Sequence, residues 1–425
     1  MKQLAINGGI PVRTEPFPEW PIRDEHERKA VQNVIEGGKW GYPEWEYVPR
    51  FEQHFAVYHD AKFGICFNSG TSALMGALWA AGVQAGDEVV LPAYTFIATA
   101  GAVIQLGALP VFADIESTTF HLDARSVDEH ISPRTKAVIA VHIGGRSADM
   151  SRLQGVCEYH SLALIEDAAQ AWGAEWQSKR IGAFGDAGVF SFQSSKNITS
   201  GEGGIVLTND EKLAQYCRSF CNCGRREDKP RYKHYYIGGN YRMTELQAAV
   251  LSAQFERYPN QLRIRQKNAA YLNTELAKID GIVPINVDEN VTSNAYHLFL
   301  LRYKRDYFDD VSKSRFIQAL QAEGVPAHPG YTLPVYKQPV FVERLFGAQG
   351  KQDTTHPDYG NLHLPETENV CSEEGIWLTQ NVLLGTKKDM QNIVEAFQKI
   401  KNNIQELSEV KNTAPGKNQS PCQNR

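Results

Sequence analysis

Between residues 62 and 208 the chain repeats one unit: a short apolar run, a turn rich in glycine or serine, then a stretch with helical spacing. The apolar runs fall at 62–67, 88–91, 110–115, 135–142, 163–167, 188–192 and 204–208, with helical stretches at 72–81 and 96–106 between them. Strands alternating with helices at this spacing predict an α/β layer architecture with a mostly parallel central sheet. The runs are nearly continuous rather than alternating, as expected for strands covered by helices on both faces.

After about residue 255 the pattern changes. Leu262, Ile264, Ala269, Leu272, Leu276 and Ile279 lie at roughly helical spacing and predict a long amphipathic helix over 261–279. Strand-like runs at 296–303 and 375–378, with helical ones at 313–323 and 390–400, predict a second, smaller α+β domain. From about Leu407 the sequence has almost nothing apolar to bury and should be disordered. The expected division is an N-terminal arm (1–20), a large domain (21–255), a small C-terminal domain (256–405) and a tail (406–425).

Charge and composition exclude several functions. Lysine and arginine number 44 against 49 acidic residues, a net charge of −5, so no basic surface for nucleic acid is expected. No run of about 18 apolar residues is present to span a membrane. The start, Met-Lys-Gln-Leu-Ala-Ile-Asn-Gly-Gly, lacks the apolar stretch of a secretory signal, which leads to an expected cytoplasmic location. The seven cysteines include no C-x-x-C pair, and Cys217, Cys221 and Cys223 lack both regular spacing and an obvious fourth ligand. Reduced thiols and no metal are expected.

Four segments at the ends of predicted strands concentrate the chemistry, and in open α/β sheets such ends face one crevice. Asn68-Ser69-Gly70-Thr71-Ser72 opens a helix whose free N–H groups suit a phosphate, or else simply caps it. Glu166 and Asp167 leave a buried strand, so one of them needs a cationic partner, a cap or an internal salt bridge. Lys196 lies in a small-residue loop between two strands, where burial would lower its proton affinity as imine formation requires. The fourth segment, Gly238-Gly239-Asn240-Tyr241-Arg242, is a glycine turn leading into a helix, with Asn240 either a cap or a ligand contact.

In this order and spacing the chain resembles the DegT/DnrJ/StrS family of pyridoxal-phosphate sugar and cyclitol aminotransferases. The resemblance runs from about Phe17 to Ile400 and rests most on Phe-Ser-Phe-x-x-x-Lys-x-x-x-x-Gly-Glu-Gly-Gly at 190–204. Ser-Gly-Thr-Ser-Ala-Leu at 69–74, Pro-Ala-Tyr-Thr-Phe at 92–96, Glu-Asp-Ala-Ala-Gln at 166–170 and Gly-Asn-Tyr-Arg-Met at 239–243 support it. It implies the type I, aspartate-aminotransferase-like fold, with pyridoxal 5'-phosphate bound in the large domain. Lys196 would carry the internal aldimine and shuttle a proton, and Asp167 would pair with the pyridinium nitrogen. Phe96 would stack on the ring, Gln170 would reach its phenolic oxygen, and Gly70, Thr71 and Ser191 would hold the phosphate. Asn240 would reach the phosphate of a neighbouring subunit, implying a homodimer with active sites at the subunit interface.

The implied reaction moves an amino group from glutamine or glutamate to a keto-sugar or keto-cyclitol in ping-pong half-reactions. The runs 217–226 and 376–378 look like the subgroup of inosose aminotransferases and 3-amino-5-hydroxybenzoate synthases. Gly330-Tyr331-Thr332-Leu333 stands where nucleotide-sugar enzymes of the family usually carry a His-Tyr-x-Pro-Leu-His stretch. Trp40, Tyr42, His142, His297, Tyr331 and Tyr336 are candidates for lining the substrate pocket, or equally for packing. Two alternatives are an elimination or aromatising enzyme of the hydroxybenzoate-synthase type and a cofactor-binding regulator without turnover.

Overall fold

A computed structural model describes residues 3–285, 288–347 and 356–408 of the chain. Two helices, α1 (Glu25–Gly37) and α2 (Tyr47–Tyr58), precede the sheet. The repeating unit then unfolds in order as β1 (Phe63–Phe67), α3 (Gly70–Ala80), β2 (Glu88–Pro92), α4 (Ile97–Gln105) and β3 (Leu109–Ala113). It continues with α5 (Ala124–Glu129), β4 (Thr135–Val141), α6 (Met150–His160) and β5 (Ala163–Asp167). A two-stranded ribbon, β6 (Glu175–Trp176) and β7 (Lys179–Arg180), leads to β8 (Ala187–Ser191) and β9 (Gly204–Thr208).

Seven of these strands pair in the order β1-β9-β8-β5-β4-β2-β3, and β9 alone runs against its neighbours. The mostly parallel sheet expected from the sequence is therefore present. Alternate residues feed two separate cores. Val90, Val138, Leu164 and Ile205 pack on one face against α2, α5 and α6. Val89, Ile139, Ile165 and Val206 pack on the other against α3, α4 and α7 (Glu211–Cys221). Period-2 alternation with both faces apolar is why the runs read as continuous.

The helix expected at 261–279 is longer and starts earlier: α8 spans Glu245–Leu276, opening on a capping box between Thr244 and Gln247. Pro259 sits inside it at an exposed position, where the loss of one N–H is tolerated within a helix packed at both ends. Its first half (Ala248, Leu251, Tyr258) belongs to the sheet core, and its second half (Ala269, Leu272, Leu276) to a third core. That third core lies against the antiparallel sheet β10 (Ile282–Pro284), β11 (Leu298–Tyr303) and β12 (Gly375–Thr379). Leu4, Val12 and Phe17 of the expected N-terminal arm pack onto this core as well. Residues 335–347 and 356–364 return to the large sheet, where Tyr336, Phe341 and Tyr359 surround Phe112. Gln405–Ser408 is helical, and the rest of the expected tail lies outside the described residues.

One buried carboxylate joins the start of α8 to the start of α2. Glu245, 1% exposed, accepts the backbone N–H groups of Glu46, Tyr47 and Val48 at 2.9, 2.7 and 2.9 Å. It satisfies the first-turn donors of a helix whose own cap residue makes no side-chain bond. Glu245→Ala is expected to destabilise the protein by about 2–4 kcal/mol by leaving buried donors unpaired, with Glu245→Gln costing less. Urea unfolding of the three proteins measures this, and an unchanged midpoint for Glu245→Ala would refute the capping role.

Candidate active site

The crevice lies at the carboxyl ends of β5 and β8. Asp167, last residue of β5, accepts the Thr99 hydroxyl at 2.8 Å and the Ala169 N–H at 3.2 Å. Its neighbour Glu166 points to the opposite face, as adjacent strand residues must. Glu166 is fully buried and accepts N–H groups from Gly182, Phe184 and Gly185 at 2.8–2.9 Å, with His142 Nε2 at 3.2 Å. Burial works against its ionisation, but the bonds from His142, Gly185 and Gly182 outweigh that and hold its pKa below the ordinary value. Of the two carboxylates, Glu166 is the structural one and Asp167 faces the crevice.

Lys196 lies in the loop between β8 and β9. Burial lowers its pKa to about 8, and the opposing carboxylate of Asp167 only partly offsets this. Beside it, Asn197 donates to the Ala295 carbonyl at 2.9 Å, which leaves its amide oxygen to accept His297 Nδ1 at 3.0 Å. Burial and the nearby Lys196 hold the His297 pKa well below its ordinary value, so the ring is neutral. Gln170 is oriented by the Gly144 N–H, which donates to its amide oxygen at 2.7 Å. Tyr331, wedged edge-on between Tyr94 and Trp377, reaches Gln170 and feels the charge of Asp167.

The start of α3 closes one side. Ser69 caps it by accepting the Ser72 N–H at 3.1 Å, while the N–H groups of Gly70 and Thr71 have no intrahelical acceptor. A side chain at Gly70 would lie 2.7 Å from Ser191 Cβ, so glycine is what lets this helix end meet the end of β8. Phe96, 59% exposed, occupies the N-cap position of α4, three residues before Thr99. A carboxylate, a desolvated lysine, two free N–H groups and an open aromatic face fit a phosphorylated pyridine ring.

Other expected residues sit elsewhere. His142 is fully buried, with Nε2 on Glu166 and Nδ1 accepting the Ala148 N–H at 3.1 Å, so it does not line a pocket. Tyr336 is likewise core, its hydroxyl donating to Glu368. Trp40 is exposed, and Tyr42 packs against Trp45 below Arg231 and Arg242. Asn240 is exposed on a segment tied to Asn68, whose N–H donates to the Tyr241 carbonyl at 2.6 Å. Cys217 and Cys221 are buried thiols directed at backbone carbonyls, and no cluster of metal-ligating side chains occurs among the described residues. Sequence reasoning missed Thr99 and Asn197. The i, i+4 pair Thr95 and Thr99, hydroxyls 2.8 Å apart at the α4 start, was the available signal for the first.

The fold is that of the pyridoxal-phosphate-dependent aminotransferases. The sequence profile of the DegT/DnrJ/EryC1/StrS aminotransferase family matches residues 21–398, and the chain belongs to that family. An L-glutamine:2-deoxy-scyllo-inosose aminotransferase from Streptoalloteichus tenebrarius is 35% identical over 421 residues, covering 93% of this chain and 97% of the relative. The crystal structure of 3-amino-5-hydroxybenzoic acid synthase has a TM-score of 0.81 at 31% identity, covering 92% of this chain and all of that one. A Bacillus subtilis protein solved with bound cofactor PMP has a TM-score of 0.77 at 25% identity, over 92% of this chain and 86% of that chain. The subgroup indicated by residues 217–226 and 376–378 agrees with these relatives.

Because the neutral amine is the nucleophile, Lys196 should react with an aldehyde faster as pH rises, with a midpoint near 8 instead of the ordinary lysine value of 10.5. Borohydride trapping followed by peptide mass analysis reads the modified fraction at each pH. A midpoint at the ordinary value would contradict the desolvated setting.

Proposed function

We propose that the protein binds pyridoxal 5'-phosphate and moves an amino group from glutamine to a keto-cyclitol. The observation that carries this reading is the desolvated Lys196 facing Asp167 at the strand ends. When bound, the cofactor supplies an electron sink for the carbon that loses its proton. Asp167, held by Thr99, is the negative partner for a protonated ring nitrogen. Lys196, with a pKa of about 8, accepts and returns a proton at its amine near neutral pH. The Gly70 and Thr71 N–H groups and the Ser191 hydroxyl bind the phosphate at the α3 terminus. Phe96 covers one ring face, and Gln170 orients the ring through its amide.

Glutamine as donor and a cyclitol as acceptor follow from the inosose-aminotransferase relative, with glutamate or a keto-sugar as the wider possibilities within the same chemistry. Tyr331 and His297 border the acceptor, with Trp40 and Tyr42 reaching it across a subunit boundary. The reading includes a homodimer in which Asn240 completes the partner's phosphate site. The exposed Tyr232 and Ile237 on the same segment, 80% and 91% exposed, support a surface covered by a second copy. Six free cysteines among the described residues fit a reducing, cytoplasmic setting, and no described helix is long and apolar enough to cross a membrane. The large domain (21–255) and small domain (256–405) form the two walls of the site.

Glutamine should bleach the visible absorbance of the cofactor-loaded protein, and a keto-cyclitol should restore it with gain of an amine. Lys196→Ala should lack that absorbance and the transfer, and Asp167→Asn should keep binding but lose on the order of 10²–10³-fold in rate. A spectrum that no amino acid changes would sink the transfer reading. The hydroxybenzoate-synthase structure supports a second reading, elimination or aromatisation at the same site. Product mass separates the two: nitrogen gained, or water lost.

A further inference from the structure

Behind the loop that holds Gln170, one guanidinium nitrogen lies buried without a hydrogen-bond partner among the described residues. Arg146 is 5% exposed, and its Nη1 is fully buried with no hydrogen bond among the described residues. Burial lowers its pKa, and Asp288 and Glu116 act on it through space. Arginine keeps its charge in proteins, so the desolvated cation is left uncompensated by any direct contact. Its side chain borders a cavity of about 310 Å³. None of Lys196, Asp167 or Phe96 lines that cavity; its walls come from Gly144, Gln266, Asn273, Ser293, Tyr296 and apolar side chains of β11.

The polar walls have a polarity of their own. Gln266 spends its amide N–H groups on Ser293 Oγ at 2.9 Å and the Asn294 carbonyl at 3.3 Å. Asn273 donates to the Tyr296 hydroxyl at 3.4 Å. Both amides are left with an acceptor oxygen. A cation on one side and amide acceptors on the other call for a ligand with a carboxylate and a nearby O–H or N–H. The charges of Asp288 and Glu116 disfavour a dianion such as phosphate.

We propose that this cavity binds a small carboxylate bearing its own hydrogen-bond donor, a hydroxy or amino acid, with Arg146 as the charge partner. The site stands independently of the transfer chemistry and does not require it. Titration calorimetry on the cofactor-loaded protein tests it with lactate, propionate and inorganic phosphate, none of which can donate an amino group. Lactate should bind, propionate about tenfold more weakly for want of its donor, and phosphate not at all. Arg146→Met should abolish lactate binding while leaving amino transfer unchanged, and its melting temperature should not fall, because an unpaired buried charge has been removed. If Arg146→Met does not fold, Gln266→Leu provides the second test by levelling lactate with propionate. Absence of lactate binding at millimolar concentration, binding that survives Arg146→Met, or tighter binding of phosphate would each overturn the proposal. A lower melting temperature in Arg146→Met without any lactate binding would make Arg146 a structural residue.

Discussion

The placement of the site depends on a carboxylate that takes no part in it. Glu166 is buried at the end of β5, and three backbone N–H groups from the 182–185 turn together with His142 converge on it. Removing any of these partners would leave a charge in a low-dielectric interior, so the arrangement is all or none. Because strand side chains alternate, fixing Glu166 on one face fixes Asp167 on the other. The turn that satisfies Glu166 leads directly into β8, the strand whose far end carries Ser191 and the Lys196 loop. One buried charge thus sets the register between the carboxylate and the lysine.

The same economy governs the meeting of α3 with β8 and β9. A Cβ at Gly70 would press on Ser191, and one at Gly204 would come within 2.4 Å of the Ser69 carbonyl. These contacts bring the free N–H groups of α3 within reach of the loop that carries Lys196. Gly70 and Gly204 are therefore positional. They let the start of α3 approach the backbone at the ends of β8 and β9.

Much of this was legible in the chain, and the limits are physical. The strand runs read correctly because both faces of the sheet are apolar, and 163–167 and 204–208 match β5 and β9 residue for residue. The change of pattern near residue 255 falls inside α8, because that helix serves two cores and its composition changes where it passes between them. His142 and Tyr336 looked like pocket residues because their types suit polar substrates. Their actual partners, Glu166 and Glu368, lie 24 and 32 residues away and could not be paired without the fold. Thr99 was missed for the same reason: its hydroxyl matters only because β5 ends beside α4.

A lowered lysine pKa does not by itself mark a reactive amine, and this chain contains the control. Burial brings Lys313 to about 8, the same value as Lys196. The Lys313 amine, however, donates to the carbonyls of Cys371 at 2.7 Å and Pro329 at 3.3 Å, which hold its protons in place. Lys196 is perturbed by burial and by the charge of Asp167, with no hydrogen bond to the backbone contributing. Its amine is therefore desolvated yet untethered, beside a carboxylate whose orientation is fixed by Thr99. The lack of a hydrogen bond on that amine among the described residues, more than its proton affinity, distinguishes Lys196 from a lysine that clamps a loop.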